Sequence, residues 1–548
     1  MGKEKKNPGE LGRREFLKKG AAIGVAAPAL GATQLGAQQV WDHTADFVSI
    51  GAGTSGLSAA VSALDNGASV IMLDANYDIG GHGIVSGGNV HLGGGNSRQK
   101  KFGIEDSADM VYNDWVRHDH RDSRYSDRDL VRAFADENAS AFEFLLENGV
   151  AFQDQATGPQ AASTVRRQGR TVQWPIESER ITHHVTRVGS GLVRALEKSA
   201  RAKGAEILLE HRMTDIIRED QSSGRVLGVT AEHRGMTVNI RALKGVLVAT
   251  GGSSSNVTLR RTFDPRLTEE YQVAGEPYTK QSGDGELAAM RIGAALWATA
   301  NQTKESGNYM SKTRYIGCKW GYSSLIWEPD SPMFDRARAS GLTILDWQDA
   351  ILVNQTGKRF YNELESGYEY FSACLQDHGD TQKRNGGGPI WAVFDSDAVV
   401  REDWDPNPPF VDLDGYFFKG DTLADLARNI DNEYQSGPMP ADALEETVSR
   451  YNSFVDSGSD PDFGRPEMIH RIQTPPFYAA WSTPILHDSL TGLRTNPRAQ
   501  VMDYDGQVIP GLYCSGESQG GFAQHGLGRC IVFGRIAGRD AALYGGEV

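Results

Sequence analysis

The sequence predicts an α/β fold: a doubly wound sheet interrupted by an inserted α+β domain. Three observations predict it. Residues 46–74 run strand, glycine turn, helix, strand, acid in about 30 residues, the length of one βαβ unit. A second strand–helix alternation follows at 191–210, and the chain closes on another strand, glycine turn and helix at 507–543. Between these lies a stretch of different composition, rich in aromatics and prolines, exemplified by "RYIGCKWGYSSLIWEPDSP" and "REDWDPNPPFVDLDGYFFKG". The expected organisation is a discontinuous nucleotide-binding domain at 40–265 and 466–548 with a cap at 266–465, preceded by a leader at 1–37.

The first element is "ADFVSIGAGTSGLSAAVSALDNGASVIMLDAN". An apolar strand at 46–50 runs straight into Gly51-x-Gly53-x-x-Gly56, and an alanine-rich helical pattern continues to about residue 64. Gly51 suits a tight turn, Gly53 lets main chain approach a pyrophosphate, and Gly56 lets helix lie close on strand. Thr54 and Ser55 open that helix, whose unsatisfied N–H groups face the phosphates. A second strand at 69–73 ends on Asp74, followed by Ala75; the acid suits ribose hydroxyls. The fingerprint serves FAD and NAD alike, so by itself it indicates a dinucleotide and no more.

The next block, "GGHGIVSGGNVHLGGG" at 80–95, carries too much glycine for a helix or strand and reads as a loop lying against a flat ligand, with Gly81, His82, Ser86, Gly87 and Gly88 along it. "KGVLVATGGSSSN" at 244–256 is a buried strand ending in Thr250-Gly251-Gly252. "GLGRCIVFGRIAGRDAAL" spaces apolar residues by three and four behind a glycine start and predicts a final helix.

Six ordered blocks then carry a resemblance: the fingerprint, the Ser-Gly-Gly at 86–88, Ala-Thr-Gly-Gly at 249–252, "SGDGELAAMRIGA", "GKRFYNE" and the C-terminal block. Over about 46–543 the chain resembles the flavoprotein superfamily of fumarate reductase, succinate dehydrogenase and the 3-ketosteroid dehydrogenases. The resemblance implies a Rossmann-like domain of the glutathione-reductase type holding extended FAD. It places Glu517 at the ribitol, Met213 on the adenine-side strand, Asp284 in the cofactor site, and Gly528, Cys530 and Ile531 in the helix under the flavin. It implies non-covalent FAD, with covalent attachment at His82, one residue off the histidine used by some fumarate reductases, left open.

For chemistry, the fumarate-type branch takes its proton from an arginine five residues after the asparagine of "NE"; here that position is Gly367 and the next residue is Tyr368. The ketosteroid branch places a tyrosine near this point, which implies Tyr368, or else Tyr370, as the proton-transfer residue. "TPILHDSLTGL" resembles the superfamily's "TPGVHHTMGG" and puts His487 at its substrate-binding histidine. "AQHGLGRC" is shorter than the branch's "NRLGGN" stretch and offers His525 and Arg529 to the substrate. His183 and His184 are further candidates for the cleft. The resulting expectation is desaturation of a bond beside a ketone carbonyl, on a steroid-like or aromatic substrate, with reduction of an unsaturated acid as the alternative and a non-catalytic flavin carrier as a remote third. A small organic substrate and an external electron partner (quinone, cytochrome or oxygen) are implied.

Composition sets limits. The chain has 548 residues and a net charge of −15, with no basic block after the leader, which disfavours nucleic acid. Cys318, Cys374, Cys514 and Cys530 lack any C-x-x-C spacing, so no metal or cluster ligand set is expected. The leader joins Lys3, Lys5, Lys6, Arg13, Arg14, Lys18 and Lys19 to a short apolar run at 21–30 and small residues at 30–32 and 35–37. It is too short to span a bilayer, which needs ~20 apolar residues. Arg-Arg-x-Phe-Leu-Lys resembles a twin-arginine export signal with Gly12 in place of the usual hydroxyl residue. That implies the twin-arginine machinery as partner, a periplasmic or exported destination, and no stable membrane insertion.

Overall fold

The computed structural model describes residues 39–548 except 87, 89, 117–124, 153, 155–171, 174–187, 277, 299–302, 307–346, 365–366, 376–387, 409–410, 525 and 547–548. All that follows concerns the compact unit Trp41–Val548. The leader, Gly87, His183, His184, Cys318 and His525 lie outside the described residues.

The chain enters on β1 (His43–Ile50), turns into α1 (Thr54–Asp65) and returns as β2 (Val70–Leu73). A short α2 (Gly81–Val85) and a long α3 (Arg128–Glu147) precede α4 (Val188–Ala202) and β3 (Glu206–Leu208). Three strands follow, β4 (Arg212–Asp220), β5 (Ser223–His233) and β6 (Met236–Val248), then α5 (Asp284–Arg291). The middle of the chain supplies β7 (Ile351–Asn354), α6 (Gly367–Leu375), β8 (Ile390–Asp395), β9 (Phe417–Gly420) and β10 (Phe477–Trp481). The chain finishes with β11 (Ile485–Ser489), β12 (Gln500–Met502), β13 (Val508–Cys514) and α7 (Leu527–Tyr544).

The main sheet has the order β12-β13-β6-β1-β2-β3, with β5 also paired to β6 and β4 to β5. Its centre is parallel: Val48 pairs with Val246 and Ile71 on either side, and Leu512 pairs with Val246. Parallel strands are covered on both faces, so β2 reads as the unbroken apolar run Val-Ile-Met-Leu, buried throughout. One face carries α1, α4 and α7 with Phe47, Met72, Leu192 and Ile531; the other carries β4, β5 and α5 with Val48, Ile71, Ile216 and Ala288. Full burial of each large apolar side chain contributes about 1.5–3 kcal/mol. Helices α1 and α7 approach closely because Gly538 has no Cβ; one built there would lie 2.0 Å from the carbonyl oxygen of Ala59.

A second sheet has four strands in the order β7-β8-β10-β9, antiparallel throughout, and most of it falls in the span expected as a cap. Its strand β10 lies between β8 and β9, so residues 477–481, beyond that span, belong to this sheet as well. They are buried on both faces and fill its middle. The cap is held by buried charge as well as apolar packing. Glu363 accepts two bonds from Arg359 at 2.8 Å and one from Arg465 at 3.2 Å, and Asp460 takes a third bond from Arg359 at 3.0 Å. All four side chains are almost wholly buried. Among the described residues no helix is long and apolar enough to cross a membrane.

Candidate functional site: an elongated cavity ending in an acid–imidazole cluster

The glycine turn after β1 is set by sterics. Gly51 has φ +106°, and a Cβ there would meet the Ala249 carbonyl oxygen at 2.3 Å. A Cβ on Gly56 would lie 2.0 Å from the Gly51 carbonyl oxygen, so the turn and the first turn of α1 interlock only with glycine at both positions. Gly53 is the N-cap of α1 and supplies no side-chain cap; the helix has no acid in its first turn. Its amino end therefore presents unsatisfied N–H groups and a partial positive charge, which suits phosphate.

That end opens into a cavity of about 310 Å³, within the ~300–1,000 Å³ range of ligand pockets. Gly51, Gly53, Thr54 and Ser55 line its middle with Gly81 and Ser86. Asp74, Ala75 and Met213 line one end, together with His211 and Arg212. Both Asp74 oxygens already accept main-chain N–H groups, from Ala52 and Asn76 at 2.9 Å each. Burial pushes its pKa up and those two bonds pull against it. Arg212 is ion-paired to Asp284, and both line the wall.

At the other end come Thr250, Gly251, His82, His487, Glu517 and Cys530, along with Asp488, Gly526 and Leu527. Gly251 and Gly526 both have positive φ, and a Cβ on either would meet nothing within 4 Å, so main chain lies bare on a cradle that side chains would fill. His82 Nδ1 sits 3.3 Å from Glu517 Oε1 and 3.2 Å from Gln281 Nε2, whose amide N–H is the donor of that pair. His487 Nδ1 is 2.5 Å from Asp488 Oδ1, and the two imidazole rings are 5.6 Å apart. One ligating atom of each of His82, Asp488 and Glu517 falls within 4.8 Å of the others. Burial opposes charging of His82, but the Glu517 carboxylate beside it and Asp488 beyond outweigh that and raise its pKa. Burial and the charge of Asp488 raise Glu517 too. Within the pair the effects are opposed: Glu517 raises His82, whereas His82 pulls Glu517 down against burial.

Several expected residues fall elsewhere. Gly252 and Gly88 lie off the cavity wall: the Gly252 N–H bonds Ser518 at 3.2 Å, and that of Gly88 bonds Ser86 at 3.2 Å. Gly528 and Ile531 also lie off the wall. A Cβ on Gly528 would meet the His91 carbonyl oxygen at 3.0 Å, and Ile531 is 0% exposed in the core. Arg529 is wholly buried and off the wall, and its terminal nitrogens donate to the carbonyl oxygens of Phe522 at 3.0 Å and Ser489 at 3.1 Å. It ties the end of β11 and the Phe522 segment to the start of α7. Tyr370 is likewise engaged: fully buried, its hydroxyl donates to the Ser482 carbonyl oxygen. Tyr368 lies in the first turn of α6, and its side chain is outside the described residues. The described cysteines Cys374, Cys514 and Cys530 are buried.

Sequence reasoning missed Asp488, Arg212, Ser515 and Gly516, which line the cavity. Asp488 had a signal, an acid beside a candidate histidine, but neighbours on a strand ordinarily face opposite ways.

The family described as FAD binding domain matches residues 46–304 and 321–528. The urocanate reductase of Eggerthella lenta is 29% identical over 515 residues, covering 91% of this chain and 74% of that protein. The acrylate reductase flavoprotein subunit of Shewanella woodyi is 28% identical, covering 96% and 98%. Among solved structures, the 3-ketosteroid Δ1-dehydrogenase of Sterolibacterium denitrificans superposes with a TM-score of 0.67 at 21% identity, covering 91% of this chain and 99% of that one, a likeness of fold. The bare glycine turns and the open amino end of α1 fit FAD.

Proposed function

The chain belongs to the FAD binding domain family and is an FAD-dependent oxidoreductase acting on CH–CH bonds, and from that premise we propose that it works as a reductase, saturating a carbon–carbon double bond conjugated to a carboxylate or carbonyl group. The observation that carries this direction is the likeness, over more than nine-tenths of this chain, to reductases named for urocanate and acrylate, both unsaturated acids. Bound FAD supplies the hydride of the exchange. The protein's own work is to grip the conjugating group and to deliver a proton to the carbon beside it.

His487, on the wall at the acid–imidazole end, is assigned the grip: a hydrogen bond from its ring draws electron density towards the substrate oxygen and makes the far alkene carbon electrophilic. Tyr368, directly after the Gly367 position, is assigned the proton; its hydroxyl loses a proton to the substrate's α-carbon and recovers one from solvent. His82 and Glu517, holding one proton between them, keep this buried end from accumulating two negative charges. Run backwards, the same groups desaturate a saturated ketone, so direction is set by the electron partner. The Arg13-Arg14 leader is assigned to twin-arginine export of the folded holoprotein; with both changed to lysine it should stay in the cytoplasm.

The test is anaerobic mixing of photoreduced holoenzyme with urocanate, acrylate, fumarate and α,β-unsaturated ketones. Return of the oxidised flavin absorbance with at least one of them is expected. If none reoxidises it while saturated 3-ketosteroids bleach the oxidised enzyme, the chain is a dehydrogenase and the proposal fails.

A further inference from the structure

We propose that Asp488 is a positioning residue for His487, holding its imidazole in one tautomer and one orientation at the end of the cavity. The role rests on the assignment of His487 to the substrate given above; the geometry that carries it does not.

Successive residues of a strand point to opposite faces, so His487 and Asp488 should be unable to touch. In β11 they do, with Nδ1 and Oδ1 2.5 Å apart. The pairing shows why. Opposite the short strand Thr303–Ser306, Lys304 pairs with Asp488 and Glu305 pairs with Leu486, so His487 is the extra residue of a β-bulge. A bulge leaves one residue without a partner across the ladder and turns its side chain out of the alternating pattern. Here it brings the imidazole onto the same side as the next carboxylate.

That carboxylate is itself held. Asp488 is 1% exposed, and its second oxygen accepts the Gly526 N–H at 3.0 Å, immediately before α7. One oxygen is therefore fixed to the amino end of the last helix and the other faces His487 Nδ1. With Nδ1–H donated to Asp488, Nε2 is the acceptor nitrogen of the ring, the carboxylate–imidazole logic by which a buried acid selects a tautomer. The second pair, His82 and Glu517, stands opposite with its ring 5.6 Å away, so rotation of the His487 ring would also disturb that pair.

Two measurements decide it. In holoenzyme labelled with ¹⁵N-histidine, a downfield Nδ1–H signal should vanish in His487→Gln and move upfield in Asp488→Asn. No such His487 signal, or one unmoved by Asp488→Asn, overturns the proposal whether or not any enoate is turned over. In the enoate assay, Asp488→Asn should lower kcat/KM about 10- to 100-fold, the effect of losing a hydrogen bond to a charged group, with KM carrying most of it. In a His487→Gln background the same change should cost less than about 3-fold, because a residue acting only through its neighbour is non-additive with it. An equal loss in both backgrounds would mean that Asp488 acts by itself, and the proposal falls. Should Asp488→Asn fail to retain FAD, the labelled wild type and His487→Gln still report whether Nδ1 carries the hydrogen-bonded proton.

Discussion

Glu286 offers a perturbation whose sign and size follow from its surroundings. It lies in α5, 0% exposed, with Oε2 accepting from the Thr250 hydroxyl at 3.4 Å and Oε1 without a partner. Burial, opposed by hydrogen bonds from its own main chain, Ser518 and Thr250, raises its pKa from 4.5 to about 7. Between those two values the folded chain binds the proton and the unfolded chain does not. This contribution to stability is therefore complete below pH 4.5 and lost as pH rises through about 7. The rise corresponds to roughly 3 kcal/mol. Glu286→Gln cannot ionise, so whatever constant cost it brings, it removes this pH dependence. The assay is thermal melting of wild type and variant holoenzyme from pH 5 to pH 8.5. The difference in Tm, variant minus wild type, should climb by about 3 °C across that range, taking roughly 1 °C per kcal/mol for a chain this long. Comparing the two proteins cancels every other titrating group. A difference that stays level across the range would refute the assignment of a neutral, buried carboxyl.

Further expectations follow from other sites. Gly56→Ala places a methyl 2.0 Å from the Gly51 carbonyl oxygen and 2.8 Å from the Ser49 hydroxyl; the purified variant should carry at least tenfold less flavin, read as the ratio of absorbance at 450 to that at 280 nm. Tyr370→Phe removes a bond to the Ser482 carbonyl and should cost about 1 kcal/mol in urea unfolding while turnover persists. Tyr368→Phe should lose about 10²-fold or more in turnover with an unchanged melting temperature; full activity would remove Tyr368 from the chemistry. Glu363→Gln strips the shared negative charge from Arg359 and Arg465, so urea unfolding should show a loss of about 3–5 kcal/mol, with the cap the first region to lose amide protection in hydrogen exchange.

The nucleotide-binding end of the site was legible because its chemistry is local. Gly51, Gly53 and Gly56 sit within six residues and Asp74 follows the next strand; the spacing is local, and glycine at 56 is required by the Gly51 carbonyl of the same turn, whereas at 51 it is the distant Ala249 carbonyl that excludes a side chain. The parallel sheet and the closing helix α7 were legible for the same reason, since their apolar periods report which faces are covered. The partners of residues 477–481 were not: these residues look like any short apolar strand, and their place in the four-stranded sheet depends on β8 and β9, far earlier in the chain.

At the acid–imidazole end, sequence pattern picked out His82, His487 and Glu517, which line the cavity. Arg529, beside a glycine-rich helix start, is buried with the carbonyls of Phe522 and Ser489 as its acceptors, an environment no local pattern announces. Asp488 shows the division most plainly. Composition and spacing are enough to specify a dinucleotide fold, since hydrophobic period, glycine turns and helix ends are properties of a few consecutive residues. Whether Asp488 meets His487 depends on a bulge created by pairing with residues 303–306, some 180 positions away, and such a register exists only once the two strands have come together.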